Sequence, residues 1–401
     1  MPSSFKWVDF AEDDRQKMME ILHLFNEKEI REELGIGTVR DAFSDILFPG
    51  TSTLHTRAKY MLFVPWIFMK HERKQTHSKD IEEYSRETEI KLIRELLKSG
   101  EEDGVIGRVA LDNLKILPSY MYWSGLGQWG IRRFNGSLYQ YFRSLDSFYF
   151  YSKNIVKSDD NELVSSAAYN WDPNIVSPTK NFPEGANFTL SRQEAEYLHD
   201  RILASCSGSL LACLVDKTKI TNVNFVWQHP QFALFSKEHQ KIIWHARNFS
   251  ESIHGAILVY NLMLSEEAKN QELIEKYREK IKRWADELRK RFYEIKTWDL
   301  NEFWGIVFSE NSHIPIQTRR FIEHWIYLVK ENKNLSRLSE NKQARSLIYR
   351  REVRIKGKRS RLKNKRMLDN WSGESGVYYL GFRWAVSKRI LNDILQGLGR
   401  S

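Results

Sequence analysis

The residues with the greatest capacity for chemistry are the cations near the end of the chain. The segment from Arg345 to Arg366 holds eleven Lys and Arg residues, seven of them Arg, and a single acidic residue, Glu352. The whole chain has 62 Lys and Arg against 52 Asp and Glu, so this segment accounts for the formal net charge of +10, and the other residues balance at 51 of each sign. Dense positive charge attracts polyanions, and the planar guanidinium of Arg matches the oxygens of a phosphate. The segment therefore predicts contact with the backbone of a nucleic acid.

This basic segment is interleaved with apolar residues such as Leu347, Ile348 and Val353, which a disordered polybasic tail would lack. We therefore expect it to belong to a folded unit that presents its cations to DNA or RNA. The expected nucleic-acid-binding residues are Arg350, Arg351, Arg354, Lys356, Lys358, Arg359, Arg361, Lys363, Lys365 and Arg366. Two other interpretations stay open: a solvated face without a partner, and a scaffold surface that docks an acidic protein.

A second candidate for anion binding lies near the start of the chain. In the stretch Pro-Gly-Thr-Ser-Thr that ends at Thr53, Gly50 permits a positive φ, and Ser52 or Thr53 can accept from the free amides of a following helix. The amino end of a helix attracts phosphate, and His55 and Arg57 would lie in its first turns. The possible anion site is therefore Thr53, His55 and Arg57, and the alternative is an ordinary capped helix.

Two patterns imitate a cofactor site and a metal site. The stretch Gly125-Leu-Gly127-Gln-Trp-Gly130 matches the dinucleotide fingerprint by letter, but a proline lies just upstream and Trp129 is too bulky for the close packing that the motif needs. His199, Cys206 and Cys213 recur every seven residues, which in one helix separates neighbours by about 10.5 Å, too far to share an ion. We expect a glycine-rich turn and a core stripe, with no cofactor and no metal.

A nuclease of the restriction type would need an acidic residue and a Glu-x-Lys triplet on neighbouring strands. Such triplets occur, for example at Glu89-Ile-Lys91 and Glu294-Ile-Lys296, but both lie in helical patterns. A phospholipase-type His-x-Lys-x4-Asp pattern begins at His77 and fails at Tyr84, where Asp is required. We find no catalytic constellation, and we keep a metal-dependent nuclease with dispersed acidic ligands as an alternative.

Apolar periodicity predicts a mainly α protein with four stretches of different texture. We expect a helical, aromatic-rich domain at residues 1–160 and a Pro/Asn-rich linker or long loop at 161–190. A helical domain is expected at 191–335 and a basic module at 336–401. The expected helices are Asp9 to Phe25, Val39 to Phe48, one beginning near Ser52, Ile81 to Lys98, Ser191 to Val215, Lys237 to Leu264, Glu266 to Ile295, Arg319 to Lys330, Ser339 to Arg351 and Val386 to Leu395.

The basic module is expected to be a small α/β unit. Val353 and Ile355 stand at strand spacing after the helix that ends at Arg351. The stretch from Val377 to Trp384 is rich in β-branched and aromatic residues and is the best strand candidate in the chain. A final helix follows, with Ile390 among its inward-facing residues.

Composition and hydropathy predict a cytoplasmic protein without a membrane segment. The most apolar run, Tyr60 to Met69, has ten residues interrupted by Pro65, whereas a spanning helix needs about 20. This run is therefore expected to be a core element. The first residues lack the layout of a signal peptide, and two cysteines exclude a disulfide framework.

Two gapped strings of residues carry a resemblance to a known family. The first string is Glu33-Leu-Gly-Ile-Gly37, Arg40-Asp-Ala-Phe43, Leu47-Phe-Pro-Gly-Thr-Ser-Thr53, Thr56-Arg-Ala58 and Phe63-Val-Pro-Trp66. The second string is Arg361-Leu-x-Asn364-x-Arg366, Trp371, Ser375-Gly376, Phe382-Arg-Trp384 and Ile390-Leu-x-Asp393-Ile394. Together they resemble the uncharacterised bacterial family domain-of-unknown-function six-three-six-one over the whole chain. The chain departs from the expected Trp-Gly-Gly by having Trp371-Ser372-Gly373.

The resemblance implies no known reaction. It implies an accessory protein of mobile, anti-phage-type defence clusters, in which helicase-like and phospholipase-D-like proteins are frequent neighbours and candidate partners. Combined with the basic segment, it leads us to expect a nucleic-acid-associated, non-catalytic subunit of a bacterial defence assembly.

Overall fold

The computed structural model describes residues 34–154 and 169–400, and these residues are mainly helical. They contain fifteen α-helices and five short 3₁₀ helices and no strand, so the predicted mainly α class is confirmed. The predicted helix from Asp9 to Phe25 lies outside the described residues. The α-helices are α1 (Gly37–Leu47), α2 (Tyr60–Arg73), α3 (Ile81–Lys98), α4 (Pro118–Gln128), α5 (Leu138–Asn154), α6 (Arg192–Ser205), α7 (Leu210–Lys217), α8 (Lys237–Glu267), α9 (Gln271–Arg289), α10 (Phe292–Lys296), α11 (Leu300–Glu310), α12 (Ile316–Glu331), α13 (Lys342–Lys356), α14 (Lys365–Asp369) and α15 (Trp384–Gly397).

The chain forms two compact units. The first contains the described residues of Phe48–Asn224 and those of Arg383–Ser401. The second contains Phe225–Phe382 together with the described part of Leu22–Leu47. Each unit is therefore assembled from stretches that are far apart in the sequence.

The first unit has α2 at its centre. Every residue from Tyr60 to Phe68 is buried, so the apolar run is a core helix, as the sequence predicts. The Pro-containing stretch 169–190 has neither helix nor strand, and it packs on this helix. The ring of Phe182 lies 5.7 Å from that of Phe63, and the indole of Trp66 donates to the carbonyl of Val176 at 2.6 Å. None of the helices within residues 34–154 and 169–400 combines the length and apolarity needed to cross a membrane.

The second unit is built on α8, a helix of 31 residues that is buried almost without interruption from Ile242 onwards. Helix α9 is amphipathic and lays its apolar face on α8. The two backbones approach closely because Gly255 has no side chain: a Cβ there would lie 2.2 Å from the ring of Trp284. The indole of Trp284 also donates to the carbonyl of Glu251 on α8 at 2.7 Å.

The predicted helix from Ser191 to Val215 is two helices. Its capping box is confirmed, since Ser191 accepts from the amide of Glu194 at 3.2 Å and the Glu194 carboxylate accepts from the amide of Ser191 at 2.7 Å. The helix then ends at Ser205, and Gly208 turns the chain with φ +83° before α7 begins. His199 and Cys213 therefore lie in different helices, and the expected continuous stripe was wrong.

The basic module contains no strand among the described residues, so its predicted α/β class was wrong. Val353 and Ile355 continue α13, which runs to Lys356. The stretch from Val377 to Trp384 is irregular up to the first residue of α15. The last helix is confirmed, and Ile390, Leu391, Ile394 and Leu395 are buried as expected.

Candidate functional site

Helix α13 positions the first part of the basic segment. Asn341 caps the start of this helix, and its side chain accepts from the amides of Gln343 and Ala344 at 2.8 and 3.0 Å. Ala344, Ile348 and Arg351 are buried on one face of the helix. Residues four and three apart share a helix face, so this spacing turns Arg351 inward while its neighbour Arg350 is exposed.

Arg351 is a structural residue. Its guanidinium donates to the carbonyls of Leu34 and Gly35 at 2.8 and 2.9 Å and to the hydroxyl of Thr318 at 2.8 Å. The chain at Gly35 adopts φ +66°, and a Cβ there would lie 2.5 Å from the guanidinium. The structure therefore uses Arg351 to order the start of the described chain and α12.

Glu352, the one acidic residue of the segment, is fully buried and organises the chain after α13. Its carboxylate accepts from the hydroxyl of Ser360 and from the amide of Arg361, the latter at 2.8 Å. Lys356 lies 3.7 Å from the same carboxylate and donates to the hydroxyl of Tyr260 on α8 at 3.0 Å. Lys356 is thus held within the second unit.

Arg361 is also held within this unit. Its guanidinium donates to the hydroxyl of Ser375 at 2.9 Å, and the indole of Trp371 donates to the same oxygen at 3.1 Å. The backbone of Ser375 exchanges two hydrogen bonds with the side-chain amide of Asn261 on α8, at 2.8 and 2.9 Å. Arg345, at the start of the segment, forms an ion pair with Glu266.

The remaining seven cations of the segment differ from these four. All seven side chains are exposed. Within the described parts of the chain, none of them donates a side-chain hydrogen bond or forms an ion pair. We call them the basic surface: Arg350, Arg354, Lys358, Arg359, Lys363, Lys365 and Arg366.

The predicted anion site around Arg57 has a different geometry. Helix α2 begins at Tyr60, not near Ser52, and no side chain caps it. Thr53 lies exposed in a turn that precedes this start. The helix therefore begins too late for Thr53 to lie at its amino end.

His55 and Arg57 have partners of their own. His55 is buried, stacks on Tyr122 with 4.0 Å between ring centroids, and donates from Nε2 to the carbonyl of Met121 at 3.0 Å. Burial, with a smaller contribution from the charge of Arg383, lowers the pKa of His55 to about 4. The guanidinium of Arg57 donates to both oxygens of Asp393, at 2.9 and 3.0 Å. We call His55, Arg57 and Asp393 the Arg57 corner.

The residues considered above as catalytic candidates are distant in sequence from the basic surface. His77 is exposed and contacts Asp146 at 3.2 Å, but Ser78 donates to the carbonyl of Arg143 at 3.4 Å and not to the imidazole. Glu89 is buried in α3, where burial raises the pKa of its carboxyl to about 7 and Ser119 donates to it from both its amide and its hydroxyl. Across residues 34–154 and 169–400, no three His, Cys, Asp or Glu side chains are grouped closely enough to hold a metal ion.

The second unit contains a cavity of about 340 Å³ that was not predicted from the sequence. Phe225 and Trp227 stack there with 4.6 Å between ring centroids, and the ring of Tyr379 stands edge-on to Phe225 at 6.1 Å. Arg247 and Glu251, from α8, contribute to the lining. We call this the aromatic cavity. Its lining residues come from four separate stretches of the chain, and only the aromatic pair Phe-x-Trp could have marked one of them in the sequence.

Comparison with known proteins adds one finding. A family model described as a family of unknown function, DUF6361, matches residues 2–397. No curated protein and no solved structure matches the chain.

Proposed function

Because the chain belongs to DUF6361, a family of unknown function, we propose its function from its own surface: it binds the phosphate backbone of DNA or RNA through the basic surface. Binding is by charge and hydrogen bonds to phosphate oxygens, without a chemical step. Contacts of this kind position a strand and do not specify its sequence.

One observation carries this proposal. The structure sorts the eleven cations of the segment into four that have partners within their own unit and seven that are exposed without one. The only carboxylate of the segment, Glu352, is buried among those partners. The exposed cations therefore face solvent without a neutralising charge from their own segment, which favours a polyanionic partner.

The sequence predicts three nucleic-acid contacts that the geometry makes poor candidates. Arg351, Lys356 and Arg361 already donate to groups of their own unit. We accordingly place the binding function on the seven residues of the basic surface. Membership of an anti-phage assembly, with a helicase-like or phospholipase-D-like partner, stays a prediction from the family resemblance.

The test is a fourfold variant, Arg354→Ala, Lys358→Ala, Arg359→Ala and Lys363→Ala, whose side chains are all exposed. If about five cations of the parent contact phosphates, the logarithm of its duplex affinity should fall against the logarithm of salt with a slope near −4.5, from about −0.9 per contact. The variant should bind more weakly, and its slope should shrink towards about −1. Fluorescence anisotropy with labelled duplex, single strand and RNA measures both quantities.

A matched control removes the same charge from another helix of the same unit. Lys276, Arg278, Lys282 and Arg289 are exposed on α9, where they alternate with carboxylates, and their replacement by Ala should leave the slope near the parent's. Equal losses in the two variants would reduce the effect to net charge. Parental affinity and slope in the first variant would refute the proposal, and strand cleavage in the presence of magnesium would favour the nuclease alternative.

A further inference from the structure

We propose that the aromatic cavity binds one nucleotide, with its base against the rings of Phe225, Trp227 and Tyr379 and its phosphate on Arg247. The inference goes beyond backbone binding, and it rests on the proposed function only for the source of the nucleotide. That source is either an unpaired residue of a bound strand or a free mononucleotide. Both present the same chemistry, a flat aromatic base attached to an anion.

The cavity has the size and rigidity of a ligand site. Its volume of about 340 Å³ falls within the range of small-molecule pockets, roughly 300–1,000 Å³. Trp284 lies buried at the cavity, fixed by its contact with Gly255 and by its hydrogen bond to Glu251. Tyr379 rests on His254 with 3.9 Å between ring centroids. The aromatic walls are therefore held in place before any ligand arrives.

The aromatic residues suit a base because they are only partly buried. Phe225, Trp227 and Tyr379 each keep part of their surface open to solvent. A stack of two rings leaves its outer faces for a third ring, and stacking of a base on an aromatic side chain tolerates any base. The cavity therefore favours a planar aromatic ligand over an aliphatic one.

The charges of the lining favour an anion. Arg291 is fully engaged, since it donates to Asn248 at 2.9 Å and pairs with Glu251 and Glu294. Arg247 differs: its Nε donates to Glu251 at 2.7 Å, and within the described residues its two terminal nitrogens have no partner. A planar guanidinium with two free amino groups matches phosphate oxygens.

A cationic ligand, such as a methylated amine in an aromatic cage, fits less well. The lining includes three cations, Arg247, Lys290 and Arg291, against the two carboxylates of Glu251 and Glu287. Both carboxylates are already bonded to cations, Glu251 to the two arginines and Glu287 to Lys290 at 2.6 Å. A positively charged ligand would therefore enter a cavity whose lining already has a net positive charge.

The basic segment leads to the cavity along α8. Ser375, which binds Arg361, is bonded to Asn261, and the carbonyl of Leu380 accepts from Ser250 at 3.1 Å. The stretch that ends in Tyr379 and Leu380 thus runs antiparallel to α8 from one of these residues to the other. Eleven residues of helix correspond to roughly 16 Å at 1.5 Å per residue. A strand held at the basic segment would reach the cavity within a few nucleotides.

The experiment compares a thymidine strand of about twelve nucleotides, an abasic strand of equal length, dTMP and thymidine. Trp227→Ala should lower the affinity for dTMP about tenfold or more and should leave the abasic strand unchanged. Trp227→Phe, which keeps a ring, should retain most of the affinity for dTMP. Arg247→Ala should weaken dTMP and leave thymidine unaffected, because only dTMP carries the phosphate.

The source follows from the same variants. A tenfold loss for the thymidine strand in Trp227→Ala assigns an unpaired residue of a strand, whereas a loss for dTMP alone assigns a free mononucleotide. Unchanged dTMP affinity in Trp227→Ala, in protein whose circular-dichroism melting matches the parent's, overturns the inference, as does an equal loss for the abasic strand. Failure of the proposed function would appear elsewhere, as parental strand affinity in the fourfold variant of the basic surface, and dTMP binding does not depend on that outcome.

Discussion

The Arg57 corner of the first unit and the basic surface of the second contain the same kinds of residue and use them differently. At the corner, Arg57 donates to Asp393 at 2.9 and 3.0 Å, and the imidazole of His55 is kept uncharged by burial. On the basic surface, Arg354 and Arg359 are exposed, and no described residue accepts from them. The role of an arginine is therefore decided by the acceptors that the fold brings within reach, and local density of positive charge does not reveal it.

The same contrast occurs between neighbours in one helix. Arg350 and Arg351 are adjacent in α13, yet the first is exposed and the second donates to three groups of its own unit. A helix turns about 100° per residue, which is enough to move a side chain from solvent to the core. These pairs of sites offer matched variants for separating folding from binding.

The largest effect is expected at the Arg57 corner. Asp393→Ala leaves the largely buried guanidinium of Arg57 and the amide of Ala58 without their acceptor, so the free energy of unfolding should fall by about 3–5 kcal/mol. Chemical denaturation measures this loss. The control is Asp103→Ala, which removes an 82% exposed carboxylate 3.7 Å from Arg389 and should change stability by less than about 1 kcal/mol. A loss of stability in Asp393→Ala as small as that in the control would mean that the corner is not structural.

The next effect separates Arg351 from Arg350. Arg351→Ala should lower the free energy of unfolding by about 3 kcal/mol, because two backbone carbonyls and a hydroxyl lose a charged donor. Arg350→Ala should stay within about 0.5 kcal/mol of the parent and should instead reduce the salt slope of duplex binding by about 0.9. Denaturation and anisotropy titrations on both variants measure this exchange of roles. A binding defect confined to Arg351→Ala in folded protein would reverse the assignment.

The third effect concerns pH. The pKa of His55 is about 4 in the folded chain against 6.5 in the unfolded one, so its contribution to stability is complete above pH 6.5 and is lost as the pH falls towards 4. By pH 5 this residue alone should cost about 2 kcal/mol. His55→Gln, which keeps a donor for the carbonyl of Met121, should remove that part of the acid sensitivity. Chemical denaturation of the parent and of His55→Gln at about pH 7.5 and about pH 5 provides the measurement. A variant whose stability depends on pH as the parent's does would contradict the assignment.

The smallest effect on stability is expected at a partly exposed ion pair. Arg40 donates to Asp41 at 3.0 Å, but the two side chains are 22% and 45% exposed. Solvent-exposed pairs of this kind contribute little, so Asp41→Ala should change the free energy of unfolding by less than about 1 kcal/mol. A loss comparable to that of Asp393→Ala would show that contact geometry outweighs burial in this protein.

Helices that bury one face were predictable from the sequence. Ile81 to Lys98 was predicted with both ends as observed, and the last helix was predicted with its inward residues. The period of apolar residues reports burial directly, which is why these predictions were correct. The break at Gly208 was missed because the apolar pattern continues across it into α7.

The wrong predictions were made where residue composition alone was used and the interaction partners could not be known. Val377 to Trp384 has the residues of a strand, yet the carbonyl of Leu380 accepts from the side chain of Ser250 on α8, and no neighbouring strand exists in the described chain. Arg351 could have been recognised as buried, since it follows Ala344 and Ile348 at seven and three residues. The aromatic cavity could not have been foreseen, because it depends on which distant stretches meet.

Glu352 has a consequence for how the neighbouring cations meet a partner. By accepting from Ser360 and from the amide of Arg361, it fastens the chain after α13 before anything binds. A flexible basic tail would lose about 1–2 kcal/mol of backbone freedom for each residue that becomes ordered. A chain that is already fastened avoids most of that loss and keeps its charges at set intervals. Strands whose phosphates match those intervals should therefore be preferred over equally charged strands that do not, so that spacing becomes a form of selectivity.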